Sequence, residues 1–261
     1  EAMSAEGSWQ AAAQQMLSLQ EEGVHFIGWV SPSHVVPGLL KSLSIAREMG
    51  LETPIIYNTN AYDALATLKL LDGVVDVYLP DLKYADAATA KGISHIHEYP
   101  EFSRQAVLEM YRQVGSLSLR EDGLAESGLL VRHLLLPEDL AGTWETLCFI
   151  ALELSPSVSL SLMSQYRPGH KALLAGGANF HLSSKPSDLG SNFSDEPLLN
   201  REITSEEYES AISMARELGF ESLYLQSMER AVHNLPDFDN TENPFPLDRT
   251  HNQGNAKAGQ L

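Results

Sequence analysis

Three times in its first third the chain runs through an amphipathic helical pattern and then into a short apolar, β-rich run. Ser8 can cap a helix with Trp9, Ala12, Ala13 and Met16 on one face; Gly23 ends it, and residues 24–30 read as a strand. Pro37 opens a second helix with Leu39, Leu43 and Ala46 inward, stopped at Gly50 and followed by the strand Pro54-Ile55-Ile56-Tyr57. Residues 63–71 form the third, closed by Asp72-Gly73, before Val74-Val75-Asp76-Val77-Tyr78-Leu79. Helix-then-strand units of about 25 residues in succession predict parallel strands joined by right-handed crossovers.

The alternation continues. A helix is expected over 102–114, with Val107, Met110, Tyr111 and Val114 at helical spacing; a strand over 128–136; and a helix marked by Trp144, Leu147, Cys148 and Ala151. Val158, Leu160 and Leu162 then alternate with Ser157, Ser159 and Ser161, a strand with one apolar and one small polar face. In a barrel the polar face lines a ligand cavity. Thr204 and Glu207 are spaced as a capping box, and a last strand is expected over 221–226. The expected architecture is α/β: a partial (β/α) barrel over residues 1–230, interrupted by a flexible Gly-, Ser- and Asn-rich insertion at about 172–197, with an extended tail over 231–261.

Composition narrows the partners. A formal charge of -18, with the few Lys and Arg residues scattered, repels phosphate backbones and argues against nucleic acid. No apolar run approaches the ~20 residues that span a bilayer. The single cysteine, Cys148, excludes an internal disulfide and an all-cysteine metal site and fits a reducing, cytoplasmic setting. The chain starts at Glu1 without the charged, apolar and cleavage regions of a signal peptide, and it reads as a piece of something longer.

The chemistry is expected where strands end. Ser31, Ser33 and His34, then Asn58 and Asn60, Asp81 and Lys83, His133 with Glu138 and Asp139, and Gln165 with Arg167 all follow apolar runs. In a parallel barrel such loops converge on one rim, where substrates bind. Arg132 interrupts Leu129, Leu130, Val131, Leu134 and Leu135, so its guanidinium needs an anionic partner: a ligand carboxylate or phosphate, or a structural acid such as Asp81. Asp81 and Lys83 share one side of an extended chain, as a hydrophilic clamp or as a cap on the strand. His34 is a ligand, a base, a donor to a cofactor, or a polar loop residue. His95, His97 and Glu98 form a local H-x-H-E cluster lacking a fourth metal ligand, and Cys148 on an apolar face reads as a small hydrophobe.

Several runs, taken together, resemble the radical S-adenosylmethionine proteins of the pyruvate formate-lyase activating enzyme-like group. They are Tyr57-Asn58-Thr59-Asn60-Ala61-Tyr62, the segment from Leu70 through Val74 to Asp81-Leu82-Lys83-Tyr84, Met110-Tyr111-Arg112-Gln113-Val114-Gly115, Gly128-Leu129-Leu130-Val131-Arg132-His133-Leu134, Leu140-Ala141-Gly142-Thr143 and Met163-Ser164-Gln165-Tyr166-Arg167-Pro168. The resemblance runs in order from about Gly23 to Gln226. It implies a partial (β/α) barrel that binds S-adenosylmethionine and a 4Fe-4S cluster, cleaves the sulfonium reductively to a 5'-deoxyadenosyl radical, and activates a glycyl-radical enzyme or modifies another protein, with flavodoxin or ferredoxin as electron donor. The family holds its cluster with C-x-x-x-C-x-x-C after the first strand; that motif is absent here, so the strand and loop carrying it are expected to precede Glu1.

The resemblance further implies a cofactor cradle. Ser33 and His34 stand where relatives contact the cofactor's amino group, although the usual Gly-Gly-Glu is replaced. Asn58 and Asn60 end the next strand, Asp81 with Lys83 matches a D-x-K signature, and Arg132 matches an arginine directed at the cofactor's carboxylate; Gln165 and Arg167 complete the set. Without cluster ligands the chain is expected to be inactive alone. The alternative is a cluster-free barrel acting as a nucleoside-binding or scaffold protein.

Overall fold

The structure is a computed structural model and describes residues 5–168, 199–226 and 228. The expected insertion at 172–197 and the tail at 231–261 lie outside the described residues. The elements are α1 (Ala5–Glu21), β1 (Ile27–Val30), α2 (Val36–Glu48), β2 (Ile55–Thr59), α3 (Leu65–Lys69), β3 (Val77–Pro80), α4 (Ala87–Ser94), α5 (Tyr99–Val114), β4 (Ser118–Leu119), β5 (Ala125–Leu134), α6 (Thr143–Phe149), β6 (Ser159–Met163), α7 (Ser205–Glu217) and β7 (Leu223–Leu225). Short 3-10 turns span Pro32–His34 and Pro137–Asp139, and a π-helical turn, Ile150–Leu154, extends α6.

The fold is α/β with a mostly parallel sheet in the order β1-β2-β3-β5-β6-β7. Strand order follows chain order without the reversal that defines a doubly wound sheet. The exception is β4, which pairs antiparallel with the start of β5. This two-residue strand and α4 are not among the elements the sequence predicts. Asp86 explains α4: its carboxylate caps the helix by accepting the Thr89 amide at 2.9 Å. Helix α3 is shorter than the predicted 63–71, and α5 starts at Tyr99, with Pro100 in its first turn.

Cross-strand partners in a parallel sheet share a face. On one face the row Trp29, Tyr57, Tyr78 and Leu129 is buried, as are Ile55, Val131, Leu160 and Leu162. The Tyr78 hydroxyl donates to Gln113 on α5 at 2.7 Å, and the Gln113 amide donates to the Leu68 carbonyl on α3, so this is the face that α3 and α5 cover. Leu68, Val107 and Met110 complete the contact, and each such fully buried aliphatic side chain stabilises the fold by ~1.5–3 kcal/mol.

The opposite face alternates with the first. Val30, Asn58 and Leu79 form one row, and Asp81, Arg132, Ser161 and Tyr224 the next. Most of these side chains are half-buried, and Val30 is 70% exposed. Gly128, beneath Arg132 on β5, has φ +122°, and a Cβ there would lie 2.4 Å from the Leu117 Cα. Only glycine lets the Ser116–Leu117 backbone, leading into β4, pass so close to β5. Among the described residues, no helix is long and apolar enough to cross a membrane.

Candidate functional site

At the carboxyl ends of β2, β3 and β5 the half-buried face becomes a charged chain of contacts. Arg132 Nε donates to Asp81 Oδ1 at 2.7 Å, its Nη2 lies 2.6 Å from the same oxygen, and Nη2 also donates to Asn58 Oδ1 at 2.7 Å. Lys83 Nζ takes the other oxygen of Asp81 at 3.2 Å. The side chains of Arg132 and Asp81 are 24% and 17% exposed, so the pair is neither fully wet nor sealed. Of the two partners the sequence leaves open for Arg132, Asp81 is the one it touches here.

That pairing decides what the cluster can still bind. Both oxygens of Asp81 are engaged, and so is the Asn58 carbonyl. Most of the spare capacity is on the donor side: the Asn58 amide NH2, the remaining protons of Lys83, and Arg132 Nη1, which has no partner among the described residues. One carboxylate and two cations leave a local charge of +1 within a chain of formal charge -18. Such a surface recognises a carboxylate or phosphate.

His133 does not join it. Adjacent strand residues point to opposite faces, and His133 is fully buried on the helix side, where Nδ1 donates to the Leu82 carbonyl at 2.7 Å and Nε2 lies 3.2 Å from Thr143 Oγ1. The carbonyl requires a proton on Nδ1, so Nε2 accepts from the threonine. Burial pushes the imidazole pKa below its ordinary value. The expectation that His133 belongs to the ligand rim is corrected: it is a buried tie between the loop carrying Lys83 and the start of α6. Glu138 and Asp139 also serve locally. Asp139 accepts the Thr143 amide at 2.8 Å, and Glu138 pairs with Arg201 at 3.2 Å.

Ser33 turns to a different acid. Its hydroxyl donates to Asp63 at 2.5 Å, alongside those of Tyr57 at 2.9 Å and Thr59 at 2.5 Å. Asp63 is 2% exposed and ties the turn after β1 to the end of β2. Burial, reinforced by the Asp63 charge, pushes the Tyr57 phenol above its usual range. The sequence reading passes over Asp63 because its partners lie up to 30 residues away; the hydroxyl-rich strand end was the available signal.

The other expected residues lie apart from the Asp81 cluster in their side-chain contacts. His34 is exposed in the turn after β1. Asn60 is exposed, and its side-chain oxygen accepts the Tyr62 amide at 3.0 Å, an Asx turn. Gln165 meets Gln226 at 3.5 Å, and Arg167 stands 3.7 Å from Glu202. His95 caps the end of α4, and among the described residues no group of three His, Cys, Asp or Glu side chains could hold a metal ion. Cys148 is half-buried on α6.

No family model matches the chain, and no solved structure matches it. A curated relative, the uncharacterized protein MJ0674 of Methanocaldococcus jannaschii, is 26% identical over 204 residues, which are 78% of this chain and 48% of that protein. The chain thus spans about half the length of the curated relative it matches.

Proposed function

We propose that this chain forms the S-adenosylmethionine-binding wall of a partial (β/α) barrel of the radical S-adenosylmethionine type, resembling the pyruvate formate-lyase activating enzyme-like group. The observation that carries the reading is the Asn58–Arg132–Asp81–Lys83 cluster, set across the carboxyl ends of three adjacent parallel strands with mostly donors to spare. Strand order that follows chain order supports the barrel part of the proposal.

The donor set fits the amino-acid moiety of the nucleoside. Arg132 Nη1, Lys83 Nζ and the Asn58 amide would hold its carboxylate. Asp81, already shared between two cations, would keep them aligned and offset the positive sulfonium nearby. Bound there, the cofactor supplies an activated carbon–sulfur bond. The 4Fe-4S cluster does not fit this chain's own residues: three thiolates are needed, and the one cysteine lies half-buried on α6. No step through a cluster is therefore derived, and a protein substrate, or a flavodoxin or ferredoxin donor, belongs to the proposal for the whole protein.

The same cysteine count favours a second reading, a cluster-free nucleoside-binding or scaffold barrel. Two measurements test them. Calorimetry should detect S-adenosylmethionine binding that weakens by about 1–3 kcal/mol in Arg132→Ala. Anaerobic reconstitution with iron and sulfide should leave this chain without a stoichiometric cluster. Absence of nucleoside binding sinks the first reading and leaves only the scaffold form of the second, and a stoichiometric cluster overturns the claim that its residues cannot hold one.

A further inference from the structure

Tyr99, the first residue of α5, is 2% exposed, and its hydroxyl meets three backbone groups. It lies 2.6 Å from the carbonyl of Asp81 and 2.9 Å from that of Asn60, and it accepts the Lys83 amide at 3.1 Å. The single phenolic proton serves two carbonyls and sits nearer to Asp81. Burial pushes the phenol above its usual range, so the donor is retained.

The ring repeats the pattern. It stacks on Tyr62 at 6.1 Å between centroids and meets Tyr84 edge-on at 5.6 Å. Tyr62 belongs to the loop after β2 and Tyr84 to the loop after β3, so ring and hydroxyl each touch both loops.

The geometry points to Tyr99 as a positioning residue for the anion-binding cluster, one that sets the separation and direction of the two loops without touching a ligand itself. The carbonyl of Asp81 and the amide of Lys83 hang on one phenolic oxygen and so curl the chain around Leu82. Leu82 is meanwhile pinned to β5, its amide donating to the Arg132 carbonyl at 2.9 Å and its carbonyl accepting from His133. With the backbone fixed on both sides, Lys83 reaches one oxygen of Asp81 and Arg132 the other. The inference rests on the proposed nucleoside site for its ligand, but its geometric core can be tested without one.

The test compares wild type with Tyr99→Phe, which keeps the ring and removes the hydroxyl. The reporter is the Arg132 Nε proton, held on Asp81 at 2.7 Å and observable by nitrogen-15 spectroscopy. Its exchange with solvent should quicken by about tenfold in Tyr99→Phe, equivalent to the loss of one net hydrogen bond. Affinity for S-adenosylmethionine should fall by a similar factor, while that for methylthioadenosine, which has no carboxylate, should stay unchanged. A merely structural tyrosine would leave the Nε proton alone or weaken both nucleosides equally, and either result overturns the proposal. If wild type binds neither nucleoside yet the Nε proton responds, the functional reading fails and the positioning role stands. Should Tyr99→Phe not fold, Tyr62→Leu removes the stacked ring and keeps the hydroxyl; exchange should then quicken by roughly threefold, and an unchanged rate overturns the inference.

Discussion

Replacing Asp81 should cost more stability than replacing Arg132, although the two face each other. In Arg132→Ala, Asp81 loses the contacts at 2.7 and 2.6 Å but keeps Lys83 at 3.2 Å, and the Asn58 carbonyl returns to partial solvent. A hydrogen bond to a charged group contributes about 1.5–3 kcal/mol net when well buried. With both partners partly exposed, and Asp81 still paired, the expected loss is about 1–2 kcal/mol. Asp81→Ala is different in kind. It leaves Arg132 and Lys83 converging without a counter-charge, and the half-buried guanidinium retains only the Asn58 carbonyl. Breaking a buried pair costs about 3–5 kcal/mol, and solvent access brings this case to the low end, about 3 kcal/mol. Urea unfolding followed by circular dichroism would measure both, provided the denaturant slope stays constant. The double variant should show a coupling of about 1–2 kcal/mol. An Arg132→Ala loss equal to or larger than that of Asp81→Ala would refute Asp81 as the hub.

Other outcomes follow from single positions. Gly128→Ala should destabilise by about 3 kcal/mol or more, because φ is +122° and the new methyl meets the Ser116–Leu117 backbone; a melting temperature near that of wild type would contradict the close approach. His133 is kept neutral by burial, so the unfolded state takes up a proton first as pH falls below about 6.5. Stability should then decline by up to about 1.4 kcal/mol per pH unit until the folded pKa is reached, a dependence that His133→Asn should flatten in parallel melts. Hydrogen bonding from Arg201 holds Glu207 down at about 2; its contribution is complete above about 4.5 and lost as pH falls through about 2, and Glu207→Gln should remove that share of the acid transition measured at constant ionic strength.

What could be read from the chain was whatever repeats locally. Helix-then-strand periodicity gives the parallel order, and Thr204 with Glu207 forms the expected capping box, both of its bonds present. At the site, Asp81, Lys83, Asn58 and Arg132 could be named because each follows or interrupts an apolar run. Their mutual contacts could not, since a separation of 51 residues between Asp81 and Arg132 leaves no local trace. The rim expected for His133 overlooked strand alternation, by which a residue next to Arg132 must point the other way. Tyr99 was concealed by position: a tyrosine ahead of a proline at a helix start reads as a first turn, while its hydroxyl acts across 18 and 39 residues. Helix α4 had a visible cap in Asp86, whereas β4, two residues long, lies below what alternation can reveal.

Strand order that follows chain order also bears on how the molecule assembles. Apart from the β4 hairpin, each strand pairs with the strand one unit earlier in the chain, so the sheet can lengthen from either edge without threading. A further helix and strand could be annealed onto β1, or removed from β7, while the pairing of β2, β3 and β5 stayed as it is. The charged cluster sits on those three inner strands, the portion of the sheet most insulated from fraying at its margins.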